Sequence, residues 1–210
     1  MDADFSIELG RDDSVLDFPW KDPSGKFAYR DLKRRPELMA CIEEAEKFTE
    51  LGEFLRVLNS ARSMMETAKC DAWVTTKLSA EEEIYDASHK FASYVDAIFS
   101  NMDGSNIDER LSSVDGSSLR QSLSLHEQFA RKLVELLRRA PEISSAVEVC
   151  VRRCYYGEED GVREEGCYFT LYVSGYGDDN VSARQNWGVG LKLTGNAIMQ
   201  LSGGARPHTT

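Results

Sequence analysis

The chain has 210 residues, of which 41% are hydrophobic and 29% charged, and its formal net charge is −11. This length suits one globular domain with a sizeable core. Because nucleic acids and anionic membranes recruit cationic surfaces, the acidic balance argues against a nucleic-acid-binding or membrane-bound protein. No apolar run approaches the roughly 18 residues of a membrane span. The acidic start MDADFSIELGRDD is also unlike a signal peptide, so a cytoplasmic protein is expected.

Cysteine spacing and the missing glycine motifs limit the kinds of metal, cofactor and catalytic site that the sequence supports. The five cysteines form no CxxC pair and no regular framework, which is typical of reduced thiols in the cytoplasm. A structural zinc site needs closely spaced thiols and imidazoles, and none is present. The sequence also lacks a P-loop, a dinucleotide-binding glycine motif and a GxSxG elbow. We therefore predict no metal site, no cofactor and no catalytic residues.

Three regions are predicted along the chain. Residues 1–35 form an extended N-terminal arm, residues 36–202 form a single α+β domain, and residues 203–210 form a flexible tail rich in glycine at its start. The predicted helices cover residues 36–49, 51–59, 80–101 and 118–140. The predicted strands cover residues 66–75, 147–156, 167–175 and 187–194.

The arm contains two prolines around an aromatic pair. Pro19 and Pro23 impose extended or turn backbone on this stretch. We expect the arm to staple Phe18 and Trp20 onto the domain, and the alternative is an exposed recognition motif. Pro36 then suits the first turn of a helix.

Two later segments carry helical patterns. Ser79 and Glu82 are spaced as a capping box at the start of the predicted helix 80–101. The predicted helix 118–140 has a wide apolar stripe and ends before Pro141. Such a stripe is typical of a helix buried against a sheet.

The most regular pattern lies between residues 147 and 194. In three successive segments the odd positions are apolar and most even positions are polar. A period of two with one apolar face is typical of an antiparallel sheet covered on one side. The predicted fold class is therefore α+β, with a helical N-terminal two thirds packed on a C-terminal antiparallel β-meander of three or more strands. The strand 66–75 is expected to join an edge of this sheet.

Matching the apolar faces of the three segments fixes their pairing up to shifts of two residues and brings a set of polar side chains together on the opposite, outer face. One such register aligns Val151 with Leu171 and Leu191 on the apolar face, and Arg152 with Thr170 and Lys192 on the outer face. Two cations, a hydroxyl and flanking phenols suit an anionic or aromatic ligand, and glycines at positions 188 and 190 leave room above the sheet. The alternative is an ordinary solvated face. The predicted ligand-binding residues are Arg152, Thr170, Lys192, Tyr168 and Tyr172.

These patterns favour a non-catalytic interaction or ligand-binding protein, and a small anionic ligand is one candidate partner for its outer face. The tyrosine-rich outer face also suits a homodimer or another protein partner, because tyrosine is enriched at interfaces. The alternative is an enzyme whose active site is assembled from distant segments, including His126 or Cys150.

Overall fold

The computed structural model describes residues 1–76, 78, 85–100, 118–159 and 162–204. They form a mixed α/β fold in which one six-stranded sheet carries the helices on one face. The strands are β1 Asp2–Glu8, β2 Val15–Phe18, β3 Met65–Thr75, β4 His89–Phe99, β5 Ser145–Glu159 and β6 Val162–Gly177. The helices are a 3-10 helix at Pro36–Cys41, then α1 Glu43–Lys47, α2 Thr49–Leu58, α3 Ser118–Arg138 and α4 Asn180–Gly204.

The sheet is mixed rather than antiparallel. Its order is β1-β5-β6-β4-β3, and β2 pairs with β5 beyond the end of β1. Both β1 and β2 run parallel to β5, whereas the other pairs are antiparallel. The predicted C-terminal antiparallel meander under a helical N-terminal two thirds is therefore wrong. Strands come first in the chain, and two of them close one edge of the sheet.

The segment 80–101 holds strand β4 where a helix was predicted. Its apolar residues at positions 91, 95 and 99 fit a helical spacing of four, but four is also twice the strand period. Small residues at the intervening positions 93 and 97 concealed the alternation, and the strand is buried on both faces. The expected capping residues Ser79 and Glu82 lie outside the described residues.

Helix α4 includes residues 187–194, which were predicted as a strand. The alternation there is local, because Val189 is 43% exposed. Over a longer window the buried positions follow a helical period, and Asp179 caps the start by accepting a hydrogen bond from the Ser182 amide at 2.7 Å. The buried positions of this helix are Ala183, Trp187, Gly190, Leu191, Thr194, Gly195, Ala197, Ile198 and Ser202.

Close contact between α4 and β6 depends on glycine. A Cβ built on Gly175 would lie 2.0 Å from the Trp187 backbone nitrogen, and one on Gly190 would lie 2.3 Å from the Ser145 hydroxyl. The glycines expected to leave room on the outer face therefore lie in a helix on the inner face, and Gly190 permits close packing there.

The remaining elements lie near their expected positions. The structure has β3, β5 and β6 where strands 66–75, 147–156 and 167–175 were predicted, and α2 and α3 where helices 51–59 and 118–140 were predicted. The predicted helix 36–49 is divided into the 3-10 helix and α1. The predicted tail falls mostly on residues 205–210, which lie outside the described residues.

The core fills the space between the inner sheet face and the helices. Val149, Leu171 and Val95 form one row across β5, β6 and β4, and each is fully buried. The predicted pairing of Val151 with Leu171 is shifted by two residues, so the same side chains face the core but with different neighbours.

The N-terminal segment crosses the outer face of the sheet. After β2, the indole Nε1 of Trp20 donates a 2.6 Å hydrogen bond to the Ala68 carbonyl on β3. Further along, Lys33 Nζ donates to the carbonyls of Ser63 and Met65 at 2.6 and 2.9 Å. The predicted arm 1–35 is therefore part of the fold, because it supplies two strands and ties opposite edges of the sheet together.

Candidate ligand-binding pocket

A pocket of about 420 Å³ lies between the outer sheet face and the N-terminal segment. Its size falls within the range of small-molecule sites. Strands β3 to β6 contribute polar and aromatic side chains to it, and the segment from Ser14 to Lys21, which includes β2, supplies the other lining residues. The lining residues from β3 to β6 are Lys69, Tyr94, Asp96, Arg152, Tyr168, Thr170 and Tyr172.

Strand register explains how these residues meet. Asp96 on β4 lies opposite Thr170 on β6, and Tyr94 lies opposite Tyr172. Lys69 on β3 lies opposite Asp96. Because cross-strand partners point to the same side of a sheet, these side chains share the outer face.

Four of the predicted ligand-binding residues line this pocket: Arg152, Thr170, Tyr168 and Tyr172. Arg152 lies opposite Tyr168 rather than Thr170, which is the same two-residue shift as in the core. Lys192 is exposed on α4, on the helical side of the sheet. The predicted row of Arg152, Thr170 and Lys192 is therefore wrong, because residues 187–194 form no strand.

Arg152 is already neutralised by a carboxylate. Its guanidinium contacts Glu8 at 2.7 Å and donates hydrogen bonds to the hydroxyls of Thr170 and Tyr172 at 3.0 and 3.2 Å. Burial acts to raise the pKa of Glu8, but the hydrogen bond and charge of Arg152 hold that pKa below its ordinary value. Arg152 thus orients two pocket hydroxyls and is not a spare cation.

Asp96 lies on the pocket floor and is only 7% exposed. The Thr170 hydroxyl donates a 2.7 Å hydrogen bond to its Oδ1. Burial raises the pKa of Asp96 to about 6, although Thr170, Lys69 and Arg152 act in the opposite direction. This carboxylate is therefore ionised at neutral pH in surroundings that disfavour its charge.

Lys69 supplies a cation at the pocket wall. Its ammonium lies 5.5 Å from the ring centroid of Trp20 and 5.7 Å from that of Tyr94, both within the range of cation–π attraction. The strand register shifts between Thr67 and Lys69, as it does at a β-bulge, which redirects side chains. In the described part of the chain, no carboxylate oxygen lies within 4.0 Å of the Lys69 ammonium.

Sequence reasoning missed Asp96, Tyr94, Lys69 and Trp20 as pocket residues. Asp96 and Tyr94 were hidden by the helical assignment of their segment. Lys69 was placed on a strand, but its strand was not linked to the outer face. The proline-flanked Trp20 was expected to pack on the domain. This expectation was the one indication in the sequence that the N-terminal segment contributes to the pocket lining.

The two residues named for an enzymatic alternative lie outside the pocket lining. His126 is buried on α3, where its ring lies 4.6 Å from the rings of both Phe99 and Phe169, and burial lowers its pKa to about 4. Cys150 is buried on β5, and burial raises the pKa of its thiol to about 12. A neutral thiol is a poor nucleophile.

The chain matches no protein-family model, no curated protein and no solved structure. Within the described ranges, none of the helices is both long and apolar enough to span a bilayer.

The buried charge of Asp96 gives a stability prediction. Because folding raises its pKa from 3.8 to about 6, the folded state is relatively favoured below pH 3.8, and this advantage is lost as the pH rises through 6. Asp96→Asn removes the charge, so we expect it to stabilise the protein at pH 8 by about 1–3 kcal/mol. The gain should vanish near pH 4, as measured by urea unfolding at both pH values.

The exposed Asp71, two residues along β3 from Lys69, provides the matched control. Asp71→Asn should change stability by less than about 0.5 kcal/mol at either pH. An Asp96→Asn protein that is less stable than the parent at pH 8 would contradict the assigned cost of this carboxylate.

Proposed function

We propose that this is a non-catalytic, cytoplasmic ligand-binding protein whose pocket on the outer sheet face takes a small ligand with an anionic group. The observation that carries the proposal is the ammonium of Lys69, which faces two aromatic rings at the pocket wall. The five free cysteines support a reducing compartment.

Charge and shape both favour such a ligand. Lys21 and Lys69 are the lysines of the pocket lining. Trp20, Tyr94 and Tyr172 add ring surfaces to the same lining, and small-molecule sites combine apolar surface with a few oriented polar groups. The ligand's anionic group is placed near Lys69, and its body lies against the rings.

The burial and hydrogen bonding of the Thr170 hydroxyl favour a binding role over a catalytic one. Thr170 is only 1% exposed, and its Oγ1 is held between the Arg152 guanidinium and Asp96. A nucleophile must reach the reacting atom of a substrate. Arg152, Thr170, Tyr168 and Tyr172 are therefore assigned to shaping the site.

The test compares two lysine variants with a fixed set of probes. Inorganic phosphate, citrate, benzoate and phenyl phosphate are titrated into the protein by calorimetry, with benzamide as the uncharged match of benzoate. We expect an aromatic anion to bind, and benzamide to bind at least about tenfold more weakly than benzoate. Lys69→Gln should reduce the affinity by a similar factor.

Lys192→Gln is the matched control, since Lys192 is exposed on α4, and it should bind as the parent does. The proposal fails if no compound with an anionic group, neither the four anions nor a carboxylate-bearing zwitterion, binds at millimolar concentration. It also fails if Lys69→Gln and Lys192→Gln bind the anion equally well.

A further inference from the structure

We propose that the ligand is a small zwitterion, such as a free α-amino acid, whose ammonium lies beside Asp96 and whose carboxylate lies beside Lys69. This inference rests on the proposed function and names the ligand class for the same pocket. It adds a required positive charge to the ligand.

The first support is the placement of two opposite charges. Lys69 and Asp96 are direct cross-strand partners on β3 and β4, and both line the pocket. Such partners have Cβ atoms about 5 Å apart. An α-amino acid carries its two charged groups on one carbon, so its charges match a pair of sites at short range.

The second support is that the two side chains do not neutralise each other. In the part of the chain that the structure describes, they form no salt bridge, because the Lys69 ammonium lies over Trp20 and Tyr94 while Asp96 accepts from Thr170. Opposite charges that line one pocket but remain separate leave room for a ligand that pairs with each.

The third support is the cost of the Asp96 charge. A carboxylate this buried is disfavoured unless a cation compensates it, and a ligand ammonium supplies that cation. A plain anion would instead bring a second negative charge close to Asp96, which is repulsive in a poorly solvated site. Arg152 does not remove this repulsion because Glu8 already pairs with it.

The aromatic lining indicates the rest of the ligand. Trp20, Tyr94 and Tyr172 present ring surface to the pocket, and aromatic side chains pack favourably against other rings. We therefore choose an aromatic amino acid as the probe.

The experiment uses three compounds with one shared body. L-phenylalanine carries both charges, 3-phenylpropionate lacks the ammonium, and phenethylamine lacks the carboxylate. Calorimetric titration of the full chain at about pH 7.5 should give L-phenylalanine at least about tenfold higher affinity than either analogue.

Two variants assign the charges to their sites. Asp96→Asn should reduce the affinity for L-phenylalanine by at least about tenfold, and it should leave the affinity for 3-phenylpropionate unchanged or increase it. Lys69→Gln should weaken both carboxylates but leave phenethylamine unchanged. Lys192→Gln should match the parent for all three compounds, and circular dichroism checks that each variant is folded.

The pH dependence supplies a second readout. The charged and titratable groups that act on Asp96 are Lys69 and Cys70 on β3, Tyr94 on β4, Arg152 and Cys154 on β5 and Tyr168 on β6, and Asp17 and Lys21 line the same pocket. Burial raises the pKa values of the two thiols to about 12 and also raises those of the two phenols, so these four groups stay neutral between pH 5 and 8. As the pH falls below 6 and Asp96 becomes protonated, the protein should therefore bind L-phenylalanine more weakly and 3-phenylpropionate more tightly.

The outcomes separate the two proposals. If 3-phenylpropionate binds as tightly as L-phenylalanine, or if benzoate binds but L-phenylalanine does not, the zwitterion inference is wrong and the anion site stands. If neither the three compounds nor the earlier anions bind, both proposals are wrong.

Discussion

Leu171→Ala is expected to destabilise the protein by roughly 2–5 kcal/mol, the range for truncating a buried leucine. Leu171 is fully buried on β6, which lies between β5 and β4 in the sheet. Its cross-strand neighbours Val149 and Val95 are also fully buried. The cavity would be enclosed on all sides, so little relaxation is available. The shift of the urea unfolding midpoint measures the loss.

Leu125→Ala is the control for this substitution. Leu125 lies on α3 and is 46% exposed, so the same truncation should cost less than about 0.5 kcal/mol beyond the small propensity change. Equal losses at positions 171 and 125 would show that β6 is not the centre of the core.

Gly175→Ala should destabilise the protein by roughly 3 kcal/mol or more, because overpacking against backbone is relieved only by moving a whole element. A Cβ at position 175 would lie 2.0 Å from the Trp187 nitrogen and 2.4 Å from the Ala183 carbonyl oxygen. Both atoms belong to α4, so the helix would have to leave the sheet. Thermal unfolding of the purified variant measures this loss.

Gly203→Ala tests the same chemical change without the clash. A Cβ at Gly203 meets no atom within 4 Å, and alanine is favoured over glycine in a helix. We expect a change between zero and a gain of about 1 kcal/mol. If Gly175→Ala were as stable as Gly203→Ala, the close packing of α4 on β6 would be wrong.

Gly175→Ala should disturb the core directly and the pocket only indirectly. Trp187 is buried and donates from its indole Nε1 to the Ser93 hydroxyl at 2.9 Å, on the face opposite the ligand site. Trp20, by contrast, lines the pocket. Loss of the α4 contact therefore acts on the pocket only through the stability of the sheet.

Much of the candidate site could be anticipated from alternation alone. Even positions of β5 and β6 had to share a face once their odd positions faced the core, and this brought Arg152, Tyr168, Thr170 and Tyr172 to one side. The exact register could not be derived, because a shift of two residues preserves every face assignment. Contacts with Asp96 and Glu8 depend on that register.

Two elements were beyond sequence reasoning for a physical reason. A spacing of four satisfies both a strand and a helix, so the apolar residues of β4 fitted the wrong period. The short alternation Trp187 to Leu193 likewise resembled a strand until its helical contacts from Ala183 to Ile198 were considered together. In each case the choice depends on which surface is available to bury the residues.

The sequence by itself determined the local properties: an acidic chain, unpaired thiols and the two-faced character of β5 and β6. Only the tertiary structure decided that β1 and β2 pair in parallel with β5 and that Trp20 reaches Ala68. These contacts join residues far apart in the chain, and their energies depend on the shape of the assembled sheet. The pocket exists because of them, since one wall comes from the N-terminal segment and the floor from strands that follow much later.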